Sequence, residues 1–325
     1  MNGSLLQGEK DQTVTLEQYM TDLKRIGKKV LPGSEGTIWI AHERGALVKL
    51  PTFNLKHPTP QEISRLFWKD RAVCVSYILE PDKEHPANAW LYICSDREYG
   101  LRKLGKGTRS SINRGFKELK ISNLTGEELL KYGVQAYCDT RSRVGLNDGT
   151  IEAFEKKFTV RTTYRGNVFV GAWKDNQLAA FFSMTEIDDG VEIDGSFSMN
   201  AFRKYYPNDT LMFQVLTHYL VDGKKSVVSF GSSSIQTESN EIGLHAFKTK
   251  IGFEAKPVHR VFLIHPILRP FTSNLMRLGI SMALRFRPDN RLLKKTEGVL
   301  QIIGGSKQSS EDFFRKWNEI PEPKD

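Results

Sequence analysis

The 325-residue sequence predicts an α/β fold of the α+β kind, a mixed sheet flanked by helices. Two observations carry that expectation. Apolar residues make up 39% and charged residues 26%, the balance of a globular chain with a sizeable core. From residue 121 to 264 the hydrophobic period switches between 3.6 and 2 in the order β–α–α–β–β–β–α–β–α–β, which is neither a uniform βαβ alternation nor an all-β meander. The length suits one large domain or two of ordinary size, and no internal repeat is obvious.

The elements follow in order. Residues 1 to 14 are polar and read as a disordered N-terminus with no signal-peptide run. TIWIAHERGALVKLP (37 to 51) reads as two short strands around a Glu43-Arg44-Gly45 turn. TPQEISRLFWKD (59 to 70) opens on a Thr-Pro start signal and has helical spacing, and CVSYIL and AWLYICS read as buried strands. A basic helix runs from about Thr108 to Leu119, with a short strand after it. TGEELLKYGVQAYCDTRSRVGL reads as one helix opened by a Thr125/Glu128 capping box, and DGTIEAFEKKF as another. VFVGAWKDNQLAAFFSMTEIDDGVEIDGSFSM gives three antiparallel strands turning at Lys174-Asp175-Asn176 and Asp188-Asp189-Gly190. A helix (NDTLMFQVLTHYLVDG), a strand (SVVSF), a short helix and a last strand (VHRVFLI) complete the order.

Charge is uneven along the chain. The formal charge is +9, yet residues 101 to 120 and 269 to 295 together supply +12, leaving the remainder at −3. Local basicity of this kind points to an anionic partner: nucleic acid, a nucleotide-linked or phosphorylated substrate, or an acidic membrane. Cys74, Cys94 and Cys138 have no paired spacing and read as reduced thiols of a cytosolic protein. No apolar run is long enough to span a bilayer. No histidine or cysteine spacing suggests a metal, and Gly100-LRKL-Gly105-Lys106-Gly107-Thr108 misses the phosphate-binding loop by a glycine where Ser or Thr belongs.

The short helix GLHAFKTKIGF (243 to 253) raises a specific question. Helical spacing puts Leu244, Phe247 and Ile251 on one apolar face. Lys248 falls only about 40° from Leu244, at the edge of that face, whereas Lys250 falls on the far side. An inward lysine is either a functional cation or one that snorkels past the apolar stripe to water.

YYPNDTLMFQVLTHYLVDGKKSVVSFGSSS followed by GLHAFKTKIGFEAKPV resembles the FemAB-like branch of the GNAT (acyl-CoA N-acyltransferase) superfamily. An aromatic, a Pro and an apolar helix, then a strand and a Phe-Lys-x-x-Ile-Gly helix, carry the resemblance, as does the basic segment LRKLGKGTRSSINRGFKELKI. The resemblance implies two GNAT-like halves. A degenerate first half would occupy 15–120, a FemAB-like GNAT domain 121–265, and a basic amphipathic extension 266–325. It implies an acyltransferase in which Lys248, beside Phe247, stabilises the tetrahedral oxyanion. The donor would be an acyl-CoA or an aminoacyl-tRNA, and the acceptor a nucleotide- or lipid-linked amino sugar or peptide of bacterial cell-envelope or polysaccharide synthesis. No metal is implied. The sequence departs from other GNAT enzymes at RKYYPNDTL (203 to 211). There the glycine loop that holds the CoA pyrophosphate is missing and Asp209 would repel a phosphate.

Other residues complete the expected site. Asp194 and Glu192 share one strand face, opposite Val191 and Ile193, and either could take a proton from an attacking amine or simply face solvent. Arg109, Arg114 and Lys103 are candidate phosphate contacts, whether to tRNA or to a phosphorylated substrate, against the alternative of a solvated basic helix. Tyr206 belongs to the family's aromatic-Pro signature, and Ser232 and Ser233, with Ser234, would line the cleft or only turn the chain. Residues 271–295 could lie on an anionic membrane or pack on the protein. The expected location is cytoplasmic, at the inner face of the membrane if that helix binds lipid. The competing class is a non-catalytic GNAT-like module that binds an anionic polymer or membrane surface.

Overall fold

The computed structural model describes residues 13–42, 45–146, 148–233, 240–268 and 274–286, together with 293 and 296. Its first half holds α1 (Leu16–Arg25), β1 (Val30–Pro32), β2 (Ile38–Ala41), β3 (Ala46–Leu50), α2 (Pro60–Trp68), β4 (Cys74–Leu79), β5 (Ala89–Cys94) and α3 (Lys106–Glu118). There follow β6 (Lys120–Asn123), α4 (Gly126–Tyr132), α5 (Val134–Arg143), α6 (Ile151–Arg161), β7 (Asn167–Lys174), β8 (Gln177–Ile187) and β9 (Gly190–Ser198). The last described elements are α7 (Pro207–Leu216), β10 (Val227–Ser232), α8 (Asn240–Lys250), β11 (Glu254–Ile264) and α9 (Asn274–Phe286).

The strands expected from the sequence form, and α1 and β1 add to them. α1 starts at a Thr15/Gln18 capping box and packs Tyr19 and Leu23 with Val30, Ile38 and Ile187. One expected helix is two: Gly133 separates α4 from α5. A Cβ there would fall 2.7 Å from the Leu129 carbonyl oxygen, so the last turn of α4 itself demands glycine at the break, and Phe154 Cζ at 3.1 Å tightens the site further. The Thr125/Glu128 capping box opens α4 as expected. Asp175 and Asn176 both take positive φ, 48° and 63°, which suits the tight β7–β8 turn.

The eleven described strands make one mixed sheet in the order β1-β2-β3-β4-β11-β5-β10-β9-β8-β7-β6. β11 joins its two parts: Glu254–Val258 pair with β5, and His259–Ile264 pair with β4. β5 therefore sits beside β10 although residue 120 separates them in sequence, and strands are shared across that point.

Two layers cover the sheet. α3, α7 and α8 lie on one face, where Ile112, Leu211, Val215 and Ile251 pack on Tyr92, Val191, Ile193 and Val228. α7 is buried along nearly its whole length, its polar Asp209, Thr210 and Gln214 included. α5 and α6 cover the other face, where Tyr137, Phe154 and Phe158 meet Phe169, Phe181 and Phe197. No helix among the described residues is long and apolar enough to cross a membrane.

Candidate functional site

β9 and β10 run parallel, but pair only from Val227↔Gly190 to Ser229↔Glu192. Beyond Ser229, β10 continues against β5 through a register shift, while β9 continues against β8. Ladder bonding between the two strands ends there, and this break in the ladder is the slot between β9 and β10.

Lys248 reaches this slot from α8. It is 3% exposed, and its Nζ donates to the Phe230 carbonyl at 2.9 Å. The ammonium lies 4.0 Å from the Tyr92 ring centroid and 4.5 Å from that of Phe230, so two aromatic faces and a carbonyl dipole replace its water. The Tyr92 hydroxyl meets His245 Nδ1 at 2.9 Å. Burial first, and then the Lys248 charge, lower the His245 pKa, which favours the neutral ring that can accept from Tyr92.

The helix differs from expectation at its other apolar positions. Leu244 is 45% exposed and forms no core stripe; Ile251 is fully buried, and Lys248 takes the buried position between them. Phe247 packs on the main core, with Lys250 Nζ 5.3 Å from its ring, while the rings around Lys248 are Tyr92 and Phe230. Lys250 turns outward and pairs with Asp209 Oδ1 at 2.5 Å. Asp209 is the third residue of α7, so an ion pair occupies the N-terminus where a CoA-type phosphate loop would lie.

Asp194 lies across the sheet from Lys248. Val191 and Ile193 belong to the α7 side, so Glu192 and Asp194 point to the opposite one, as strand alternation predicted. Asp194 is the extra residue of a bulge, since Met184 pairs with Ile193 and Ser183 with Gly195. Its carboxylate is engaged by the Arg161 guanidinium and accepts from Thr185 Oγ1 at 2.6 Å. Glu192 is held differently: Oε1 accepts from the Thr52 amide and, at 2.6 Å, from its hydroxyl. Burial is the leading cause of a Glu192 pKa raised to about 7. Both carboxyls line a cavity of about 190 Å³ with Tyr19, Leu50, Pro51, Phe53, Arg161, Tyr164, Thr185, Ile187 and Gly190. Gly190 lets Phe53 lie on β9, because a Cβ would fall 2.2 Å from Phe53 Cζ.

The remaining candidates separate. Arg109 and Arg114 share one furrow on α3 with Lys106, Ser110, Asn113 and Lys117. Tyr206 joins them: it caps α7 in a left-handed conformation, and the Arg114 guanidinium lies 5.9 Å from its ring. Lys103 stands apart, pinned to Asp96 by contacts of 2.8 and 2.7 Å. Ser233 is a strand clamp whose hydroxyl accepts from the Trp90 amide at 3.0 Å, and Ser232 lies 3.4 Å from Arg260 Nη1. Ser234 lies outside the described residues. Of segment 271–295, the backbone of α9 is described, with Ile280 buried and Met282 and Phe286 exposed. Arg287, Arg291, Lys294 and Lys295 lie outside the description. Among the described residues no group of three or more His, Cys, Asp or Glu is placed to hold a metal.

Sequence reading missed Tyr92, Phe230, His245, Thr52 and Arg161. All come from elements distant in sequence from the residues they contact, and neither spacing nor composition marks them.

Comparison with known structures gives the fold. FemX aligns over 79% of this chain and 94% of its own, with a TM-score of 0.53 at 11% identity. L-PGS from Bacillus licheniformis aligns over 80% of this chain and 95% of its own (TM-score 0.49, 14% identity). A GCN5-related N-acetyltransferase from Kribbella flavida aligns over 77% and 93% (TM-score 0.41, 12% identity). The fold, a large mixed sheet flanked by helices, is similar to that of FemX. No protein-family model and no curated protein matches the sequence.

Proposed function

We propose that the protein is an N-acyltransferase that works at the slot between β9 and β10. The observation that carries this reading is the buried Lys248, fixed by the Phe230 carbonyl where the ladder between two parallel strands ends. When an amine attacks a thioester or ester carbonyl, negative charge develops on the carbonyl oxygen. A cation already desolvated and fixed in place stabilises that charge without reorganising at the moment of reaction. Asp194 is engaged by Arg161, which leaves Glu192 as the carboxyl whose proton affinity suits a base near neutral pH.

The donor is an acyl-CoA held without the usual phosphate loop, or an aminoacyl-tRNA. The Asp209–Lys250 pair at α7 disfavours the usual CoA mode, and the α3 furrow offers four cations, Lys106, Arg109, Arg114 and Lys117, to phosphates. The acceptor amine would belong to a nucleotide- or lipid-linked sugar or peptide of envelope or polysaccharide synthesis. The same reading takes 15–120 as a degenerate GNAT-like half and 121–265 as the second, exchanging β5 and β11. It takes 266–325 as an extension that carries α9 toward an anionic membrane surface.

Intact-mass detection of acyl transfer tests the reading. Acetyl-CoA, longer acyl-CoAs and charged tRNA would be offered with a panel of amino-sugar nucleotides to wild type and Lys248→Ala. Transfer that requires Lys248 supports it. Transfer indifferent to Lys248 removes the role given to that cation, and no transfer from any donor favours a binding module built on the α3 furrow.

A further inference from the structure

The cavity on the Glu192 side of the sheet has a composition that selects a ligand. Its walls are apolar and aromatic: Tyr19 from α1, Leu50, Pro51 and Phe53 from the end of β3 and the segment after it, Tyr164 from the segment after α6, and Ile187 from β8. The Tyr19 and Tyr164 rings are 5.8 Å apart. At about 190 Å³ it holds the volume of about six waters, which admits a chain of a few carbons but not a nucleotide.

Its charges are unequal. Arg161 is the one cation among the described lining residues, and Asp194 already engages it. Glu192 has two donors on Oε1, both from Thr52, and no cation among the described residues pairs with it. A part-buried carboxylate with hydrogen bonds but no countercharge is costly, and an entering cation relieves that cost. An anion would meet two carboxyls and an arginine already engaged, so the same walls reject it.

We propose that this cavity is a recognition site for a small primary alkylammonium, seated on Glu192 with its methylenes against Tyr19, Phe53 and Tyr164. The aromatic walls add attraction for the cation beyond the burial of its methylenes. Glu192 pairs in register with Ser229, the residue before Phe230, whose carbonyl holds Lys248. A bound ammonium thus lies on the far side of the slot from Lys248. That it is the acceptor amine rests on the acyltransferase reading, whereas its binding does not.

The groups facing Glu192 fix the pH dependence. Asp194 on β9 and Arg161 on α6 pair with each other, and burial raises the Tyr19 pKa far above neutrality. Among the lining residues Glu192, with a pKa of about 7, titrates near neutral pH, and its anion attracts the ligand. Lys157 on α6, outside the lining, has its pKa lowered to about 8, mainly by burial, and its loss of charge acts in the same direction. Binding therefore strengthens as pH rises from 6 to 8.

Isothermal titration of the full chain with n-butylammonium chloride, and with n-butanol as the neutral counterpart, tests this. Butylammonium is expected to bind saturably at pH 8, about tenfold more weakly at pH 6, and at least about tenfold more weakly to Glu192→Gln. Butanol should bind far more weakly at both pH values. The butylammonium titration needs no acyl donor and no transfer, so a failure of the transferase reading leaves this result standing. Equal binding of butanol and butylammonium, no saturable binding at pH 8, or no weakening at pH 6 overturns the proposal. The pH comparison needs no variant, and it decides the matter even if Glu192→Gln does not fold.

Discussion

On the two sides of the slot between β9 and β10, a buried cation and a part-buried carboxyl are treated differently. On the α8 side, the Lys248 ammonium is given a carbonyl oxygen and two ring faces, partners suited to a cation. On the α1 side, Glu192 is given two hydrogen-bond donors and, among the described residues, no cation, while its neighbour Asp194 takes the arginine. One side is built to keep a charge in place; the other leaves a charge whose presence depends on pH. A reaction that develops negative charge at one point and releases a proton at another calls for that asymmetry.

The largest expected effect tests the cation. Lys248→Ala should lower acyl transfer by about 10²- to 10³-fold while far-UV circular dichroism stays unchanged. Lys248→Met refines the test, because it keeps the length of the side chain without the charge. If Met restores transfer, Lys248 is a packing residue and the two sides of the slot no longer differ in kind.

The carboxyl side is tested through stability. A pKa raised from 4.5 to about 7 means that the folded state holds a proton the unfolded chain has lost. Between those values stability falls as pH rises, by on the order of 3 kcal/mol in total, and it levels off above pH 7. Glu192→Gln removes that slope. Urea denaturation at pH 5 and pH 8 should show the variant gaining on wild type at the higher pH. Superimposable profiles would mean that Glu192 already has a countercharge, and the asymmetry would be lost.

A third prediction concerns how far the site extends toward a polyanionic donor. Reversing Arg109 and Arg114 to Glu should weaken tRNA binding by about tenfold or more and lower the salt slope by about two, measured by filter binding over a salt series. An unchanged slope would detach the α3 furrow from the slot and favour a smaller donor.

How legible this was in the sequence differs between the two sides. Strand alternation alone put Glu192 and Asp194 on one face, because Val191 and Ile193 claim the other. Helical spacing set Lys248 at the edge of an apolar arc that began at Leu244; Lys248 is buried, but Leu244 is 45% exposed, so the buried face lies further round the helix than the spacing placed it. What spacing could not supply was the far partner. Arg161 disarms Asp194 from 33 residues away, and Thr52 reaches Glu192 from 140. Tyr92 comes to Lys248 only because β5 is inserted beside β10, a pairing that no local pattern encodes. The fold order was readable because period and turn chemistry are local. The strand exchange by which β11 bridges β4 and β5 was not, since it depends on which edges meet.

The smallest effect is expected at Lys250, and it is the most direct comparison within α8. Two residues from Lys248 on the same helix, it is outward and about one-third exposed, and it binds Asp209 across to α7. Lys250→Ala leaves Asp209 8% exposed without that partner, but the carboxylate stays in the first turn of α7, where the helix dipole favours it. The loss in stability should therefore be about 1 to 2 kcal/mol, the cost of stranding a buried carboxylate less the help of the helix dipole, and transfer should stay within about twofold of wild type. Thermal melts and the same mass-based assay measure both. Should Lys250→Ala disable transfer as fully as Lys248→Ala, position on the helix face would not decide which lysine acts, and the pair with Asp209 would have to be counted as part of the site.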